Sequence, residues 1–255
     1  MSPYLLECCV DSVQSALLAE QGGADRLELC SNLVIGGTTP SLSLYEEIRK
    51  RSDIRIHVLI RPRFGDFLYS QEELAVIAGD IRRFRQAGAQ GVVIGCLTPD
   101  GELDMENMRV LMDAAQDMSV TLHRAFDMCR DPFRALEQAR ELGVNTILTS
   151  GQAQSCLEGV SLLEELAQKA GPDLTILAGA GIHADAVRLL LQKTSLTAFH
   201  MSGKRILESG MHYRNANVSM GLSGMSEYEI WQTDPEAVRQ VRLLLEQAAA
   251  ADTSK

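Results

Sequence analysis

Four titratable residues, Glu7, Glu28, His123 and His200, stand at the ends of short apolar runs, where a charged side chain is costly to bury without a partner. Two carboxylates and two imidazoles converging on one pocket could pass protons to and from a substrate, so these four are the candidate catalytic residues. Arg61 and Arg63 follow in Arg61-Pro62-Arg63-Phe64-Gly65-Asp66-Phe67, and their guanidinium forks suit the paired oxygens of a carboxylate or phosphate. Asp66, Arg124, Ser150 and Ser202 occupy similar strand-end or loop positions. Gly179-Ala180-Gly181, just ahead of a helix start near His183 to Asp185, has the form of a backbone-amide anion cradle, with Gly179 and Gly181 as its substrate-binding positions. The bland readings are a buried charge network, satisfied core histidines, a solvated arginine loop and glycines that serve tight packing.

Soft thiolates select Cu(I) and zinc over hard cations, and Cys9 and Cys30 are the plausible metal-ligating pair among six cysteines. No C-x-x-C occurs, which removes the commonest zinc and redox signatures. A buried cysteine is also a small hydrophobe, so packing is the competing explanation.

The elements that must position these residues show as eight apolar runs: Leu5–Val10, Arg26–Cys30, Ile54–Arg61, Gly91–Cys96, Val120–Arg124, Thr146–Ser150, Thr175–Gly179 and Ala198–Ser202. Amphipathic stretches separate them, a rhythm that predicts parallel βαβ units closing into a single-domain (β/α)8 barrel. Strand parity puts Glu7 on the face of Leu5 and Cys9, Glu28 with Arg26 and Cys30, Arg61 with His57 and Leu59, and His200 with Ala198 and Ser202. The first strand leads into Cys9-Val10-Asp11-Ser12 with no glycine-rich turn, which disfavours an open dinucleotide-binding sheet. After Ser202 the sequence predicts a long loop over 203–228 and a terminal helix around Pro235–Ala250.

A net charge of −10 argues against a phosphate-tracking nucleic-acid surface. Glu7 interrupts the amino-terminal apolar stretch, and no run approaches membrane-spanning length, so the expectation is a cytoplasmic protein with reduced cysteines.

Several strings together are more specific than any one residue. Glu7-Cys8-Cys9-Val10-Asp11-Ser12, Gly22-Gly23-Ala24-Asp25-Arg26-Leu27-Glu28-Leu29-Cys30-Ser31, Gly36-Gly37-Thr38-Thr39-Pro40-Ser41, Ile60-Arg61-Pro62-Arg63, His123-Arg124-Ala125-Phe126-Asp127 and Leu148-Thr149-Ser150-Gly151 closely resemble the CutC family, named for copper homeostasis. The resemblance runs from about Leu6 to Ser202. It implies a (β/α)8 barrel, a cytoplasmic homo-oligomer and Cu(I) binding through Cys9 and Cys30, with copper as the ligand. The alternative that the residues themselves raise is a barrel enzyme doing acid/base chemistry on a small anionic substrate, a phosphorylated one included.

Overall fold

The computed structural model describes residues 3–215, 217–221 and 225–252. Eight parallel strands close into a barrel in chain order: β1 Leu5–Val10, β2 Arg26–Leu29, β3 Arg55–Leu59, β4 Gly91–Ile94, β5 Ser119–Leu122, β6 Thr146–Thr149, β7 Thr175–Ala178 and β8 Ala198–Met201. Seven helices alternate with them: α1 Val13–Gly22, α2 Leu42–Arg49, α3 Gln71–Gln86, α4 Met105–Ala115, α5 Pro132–Glu141, α6 Val160–Ala170 and α7 Ala184–Lys193. Closure is made by β1 pairing with β8, with Glu7 beside His200 in register.

Local chemistry starts each helix where the sequence offers a side-chain acceptor. Ser12, Ser41, Ser70, Asp104 and Asp131 each accept from an amide of the first turn, and Ser70 with Glu73 forms a reciprocal capping box. Strand parity sorts the rest. Leu6, Cys8, Val10, Leu27, Leu29, Ile56, Val58, Val92 and Ile94 join one large core between barrel and helices. The alternate residues fill the barrel interior, where Leu5 packs with Leu148, Leu177 and Ala198 on one side and Cys30 with Leu59 and Val93 on another.

The stretch after Ser202 departs from expectation. Lys204–Glu208 forms β9, which pairs antiparallel with β10, Glu229–Thr233, as a two-stranded ribbon beside the barrel. Alternation is masked there because most ribbon residues are exposed, so neither face gives an apolar stripe. The terminal helix α8, Pro235–Asp252, packs against α1 and α7. No helix among the described residues is long and apolar enough to cross a membrane.

Candidate functional site

The strand ends carry their polar residues into the barrel as parity requires. Glu7 is fully enclosed and binds two partners from neighbouring strands. Arg26 Nε donates to its Oε2 at 2.5 Å, and His200 Nδ1 donates to its Oε1 at 2.7 Å. The other imidazole nitrogen of His200, Nε2, stands 3.8 Å from Glu28 Oε2. Single ligand atoms of Cys9, Glu28 and His200 all lie within 4.8 Å of one another.

Burial and charge set these residues apart electrostatically. Burial alone would raise Glu7, but the Arg26 charge, the His200 hydrogen bond and the His200 and His57 charges outweigh it and hold its pKa at about 2. Glu28 goes the other way: burial, reinforced by the Glu7 charge, raises it to about 7 against the pull of His200 and Arg26. Burial disfavours the His200 cation, yet Cys9 and Glu28, with hydrogen bonds to Cys9 and Glu7, push its pKa well above the ordinary value. His57, buried beside Arg26, is lowered to about 3, and His123, buried near Arg61, is lowered to about 3.

Room for the two neutral histidines comes from β4 and its exit. A Cβ at Gly91 would come within 2.5 Å of the His57 ring, and one at Gly95 within 2.8 Å of the His123 ring. His57 Nδ1 is 3.3 Å from Thr121 Oγ1, and His123 Nδ1 accepts the Ala125 N–H at 3.2 Å. That acceptance leaves the His123 proton on Nε2, which is enclosed and has no hydrogen-bond partner among the described residues.

Above this floor opens a cavity of about 560 Å³, walled by Cys9, Glu28 and His200 below and by Arg61, His123, Arg124, Gly181, Ser202, Lys204 and Trp231 around it. Not every expected site residue reaches the wall. Arg63 turns away to pair with Glu73 and Asp66 and to donate to the Leu68 carbonyl, so Arg63 and Asp66 brace their own loop. Arg61 lines the cavity, but its NH1 donates to the Gly36 and Gly37 carbonyls and its NH2 to Gly65, so the guanidinium clamps two loops rather than standing free for an oxygen pair. Ser150 is buried against Asp127, and Gly179 packs against Leu148 behind Ala180 and Gly181. Cys30 lies outside the three-residue ligand group, its Sγ donating to the Val10 carbonyl at 3.5 Å. Burial and the Cys9 and Glu28 charges raise its thiol well above the ordinary value.

Sequence reasoning overlooked Asp127, Lys204 and Trp231. Asp127 accepts from Thr149 Oγ1, the Ser150 and Gln152 amides and Arg124, tying the β5 and β6 loops at the cavity rim. Its signal was its place in the His123–Asp127 string. Lys204 and Trp231 come from the ribbon, and Lys204 Nζ sits 3.3 Å from the Trp231 ring centroid.

Fold and site together define a parallel (β/α)8 barrel whose titratable and thiol side chains gather at the carboxyl ends of the strands, where barrels of this class keep their chemistry. The chain belongs to the CutC family, which it matches over residues 4–205. It is 44% identical over 241 residues to a family protein CutC of Pasteurella multocida, covering 94% of this chain and 98% of the relative. A human relative, described as a copper homeostasis protein cutC homolog, is 44% identical over 242 residues, covering 94% of this chain and 89% of that one. The crystal structure of a Streptococcus agalactiae chain, described as a copper homeostasis protein CutC, superposes with a TM-score of 0.74 at 29% identity, covering 78% of this chain and 98% of that chain.

Proposed function

We propose that this CutC-family chain handles copper by taking Cu(I) at the cavity floor, through the Cys9 thiolate and the Nε2 of His200, the metal displacing the Nε2 proton to solvent. The observation that carries the reading is the grip of Glu7 on His200 Nδ1 at 2.7 Å, which leaves Nε2 turned toward Cys9 and Glu28. A carboxylate that fixes one imidazole nitrogen while the other meets a metal is the usual support of a metal-binding histidine. Sulfur decides the metal's identity, because Glu28 is a hard ligand that adds little for Cu(I). The sequence pairs Cys9 with Cys30. Both thiols donate to a backbone carbonyl, Cys9 to Met201 and Cys30 to Val10, but Cys9 alone of the two lines the cavity and lies with Glu28 and His200, which supports it as the principal thiolate and Cys30 as a secondary one. A reducing cytoplasm and self-association belong to the same reading, the first because six buried free thiols keep their chemistry only where disulfides do not form.

Anaerobic Cu(I) titration against a competing chelator tests this. Cys9→Ser should weaken binding by more than about 100-fold and Cys30→Ser by about tenfold or less, both variants keeping the parent's circular dichroism. Equal affinity for Cys9→Ser and the parent would reject it.

One observation favours a second reading, acid/base catalysis. Glu28, raised to about 7 beside His200 at the base of a large cavity, could exchange a proton with a substrate near neutral pH. Glu28→Gln would then abolish turnover while leaving Cu(I) affinity unchanged.

A further inference from the structure

The chain carries a net charge of −10, yet the cavity wall gathers Arg61, Arg124 and Lys204 against only Glu28 and Asp127 among its acids. Asp127 is already committed to Arg124 and to hydrogen bonds from Thr149, Ser150 and Gln152. Lys204 lines the cavity and rests on the Trp231 ring, and among the described residues it has no ion pair with a carboxylate. Arg124 spends Nε on Asp127 and NH2 on Ser150, leaving NH1 without a partner among the described residues. A copper ion needs none of these cations, and a cationic metal is repelled by them.

The second observation is His123. It is 4% exposed, held neutral by burial and Arg61, and its Nε2 proton meets no acceptor among the described residues. A buried donor left unmet is destabilising, which calls for an acceptor. The Phe67 ring packs beside the imidazole, their centroids 4.7 Å apart, on a loop whose neighbours Phe64, Gly65, Asp66 and Leu68 are exposed. His123 and Phe67 both line the cavity. A cavity of about 560 Å³ falls in the range that encloses a small molecule.

We propose that the cavity binds a small organic oxyanion, a carboxylate or phosphate monoester, whose charge is met by Arg124 and Lys204 and whose inner oxygen accepts the His123 N–H. This site goes beyond the copper reading and does not depend on it, because none of the three residues is a proposed copper ligand. Ligand entry past Lys204 would bring the reactive end of such a molecule to Cys9, Glu28 and His200.

Trp231 is the single tryptophan, so its fluorescence reports on the cavity mouth. The metal-free full chain is titrated with inorganic phosphate, with malonate and with neutral glycerol, and each titration is repeated by calorimetry. Saturable binding of phosphate or malonate, but not glycerol, is expected, and the better of the two identifies the anion class. His123→Phe and Lys204→Gln should each weaken that binding by at least about tenfold while keeping Cu(I) affinity. If His123→Phe does not fold, Lys204→Gln on the exposed ribbon, read by calorimetry, decides alone. No saturable binding of either anion, or Lys204→Gln binding as the parent does, overturns the proposal. Loss of Cu(I) binding in Cys9→Ser bears only on the copper reading.

Discussion

Glu7 and His200 lie 193 residues apart in the chain and 2.7 Å apart in the barrel, joined where β1 closes on β8. The carboxylate's other oxygen holds Arg26, so one enclosed anion neutralises a guanidinium and orients an imidazole. Removing one member of such a buried group strands the charges of the others. Glu7→Ala should therefore cost about 3–5 kcal/mol of unfolding free energy, read as a lower urea midpoint. A loss below 1 kcal/mol would mean that water or a rearranged Arg26 takes the place of the carboxylate.

The same contact predicts a graded effect on metal binding. Glu7→Gln keeps the shape but loses the charge that fixes the His200 tautomer. Cu(I) affinity should fall by about 10–100-fold without loss of the Cys9 ligand. Titration of Glu7→Gln beside His200→Ala checks this, and equal affinity in parent and Glu7→Gln would separate His200 from the metal.

Acid stability should depend on His57. Its pKa is about 3 in the folded chain against 6.5 for an ordinary histidine, because burial and the Arg26 charge oppose protonation. The unfolded chain thus takes up a proton that the folded one refuses, and the stability contributed by the neutral ring is present above pH 6.5 and lost as pH falls toward 3. Glu28, raised from 4.5 to about 7, has the opposite sign: its contribution is present below pH 4.5 and lost as pH rises through 7. A His57→Gln variant isolates the first effect. The stability gap between parent and variant, from urea midpoints at pH 7 and pH 5, should narrow or reverse at the lower pH, and a gap that widens there would contradict a neutral His57.

Gly159 tests the loop that backs Ser150. A Cβ there would lie 1.9 Å from the Ser150 carbonyl oxygen, a contact that only backbone movement relieves. Gly159→Ala should cost about 3 kcal/mol and lower the melting temperature, because the displaced β6 loop also carries the donors to Asp127. A variant melting with the parent would show that the loop shifts freely.

Much of the site was legible because a strand has a fixed period of two. Once Leu6, Cys8 and Val10 are taken as the helix-facing set, Glu7 and Cys9 must face inward, and the same rule carries Glu28, Arg61 and His200. Eight runs at barrel spacing gave the architecture, and the ordered strings from Glu7 to Ser150 gave the family. Partner choice was not legible, because it depends on contacts between elements remote in sequence. Arg61 and Arg63 look equivalent in the chain. Folding commits one to the Gly36, Gly37 and Gly65 carbonyls and sends the other to Glu73 on α3. Cys9 and Cys30 look like a pair by parity, but the ladder sets Cys9 beside Glu28 and leaves Cys30 two residues further on, just past the end of β2, with its thiol on the Val10 carbonyl. Lys204 and Trp231 reach the cavity only because β9 and β10 pair across a long excursion of the chain, and a mostly exposed ribbon leaves no hydrophobic period to announce it.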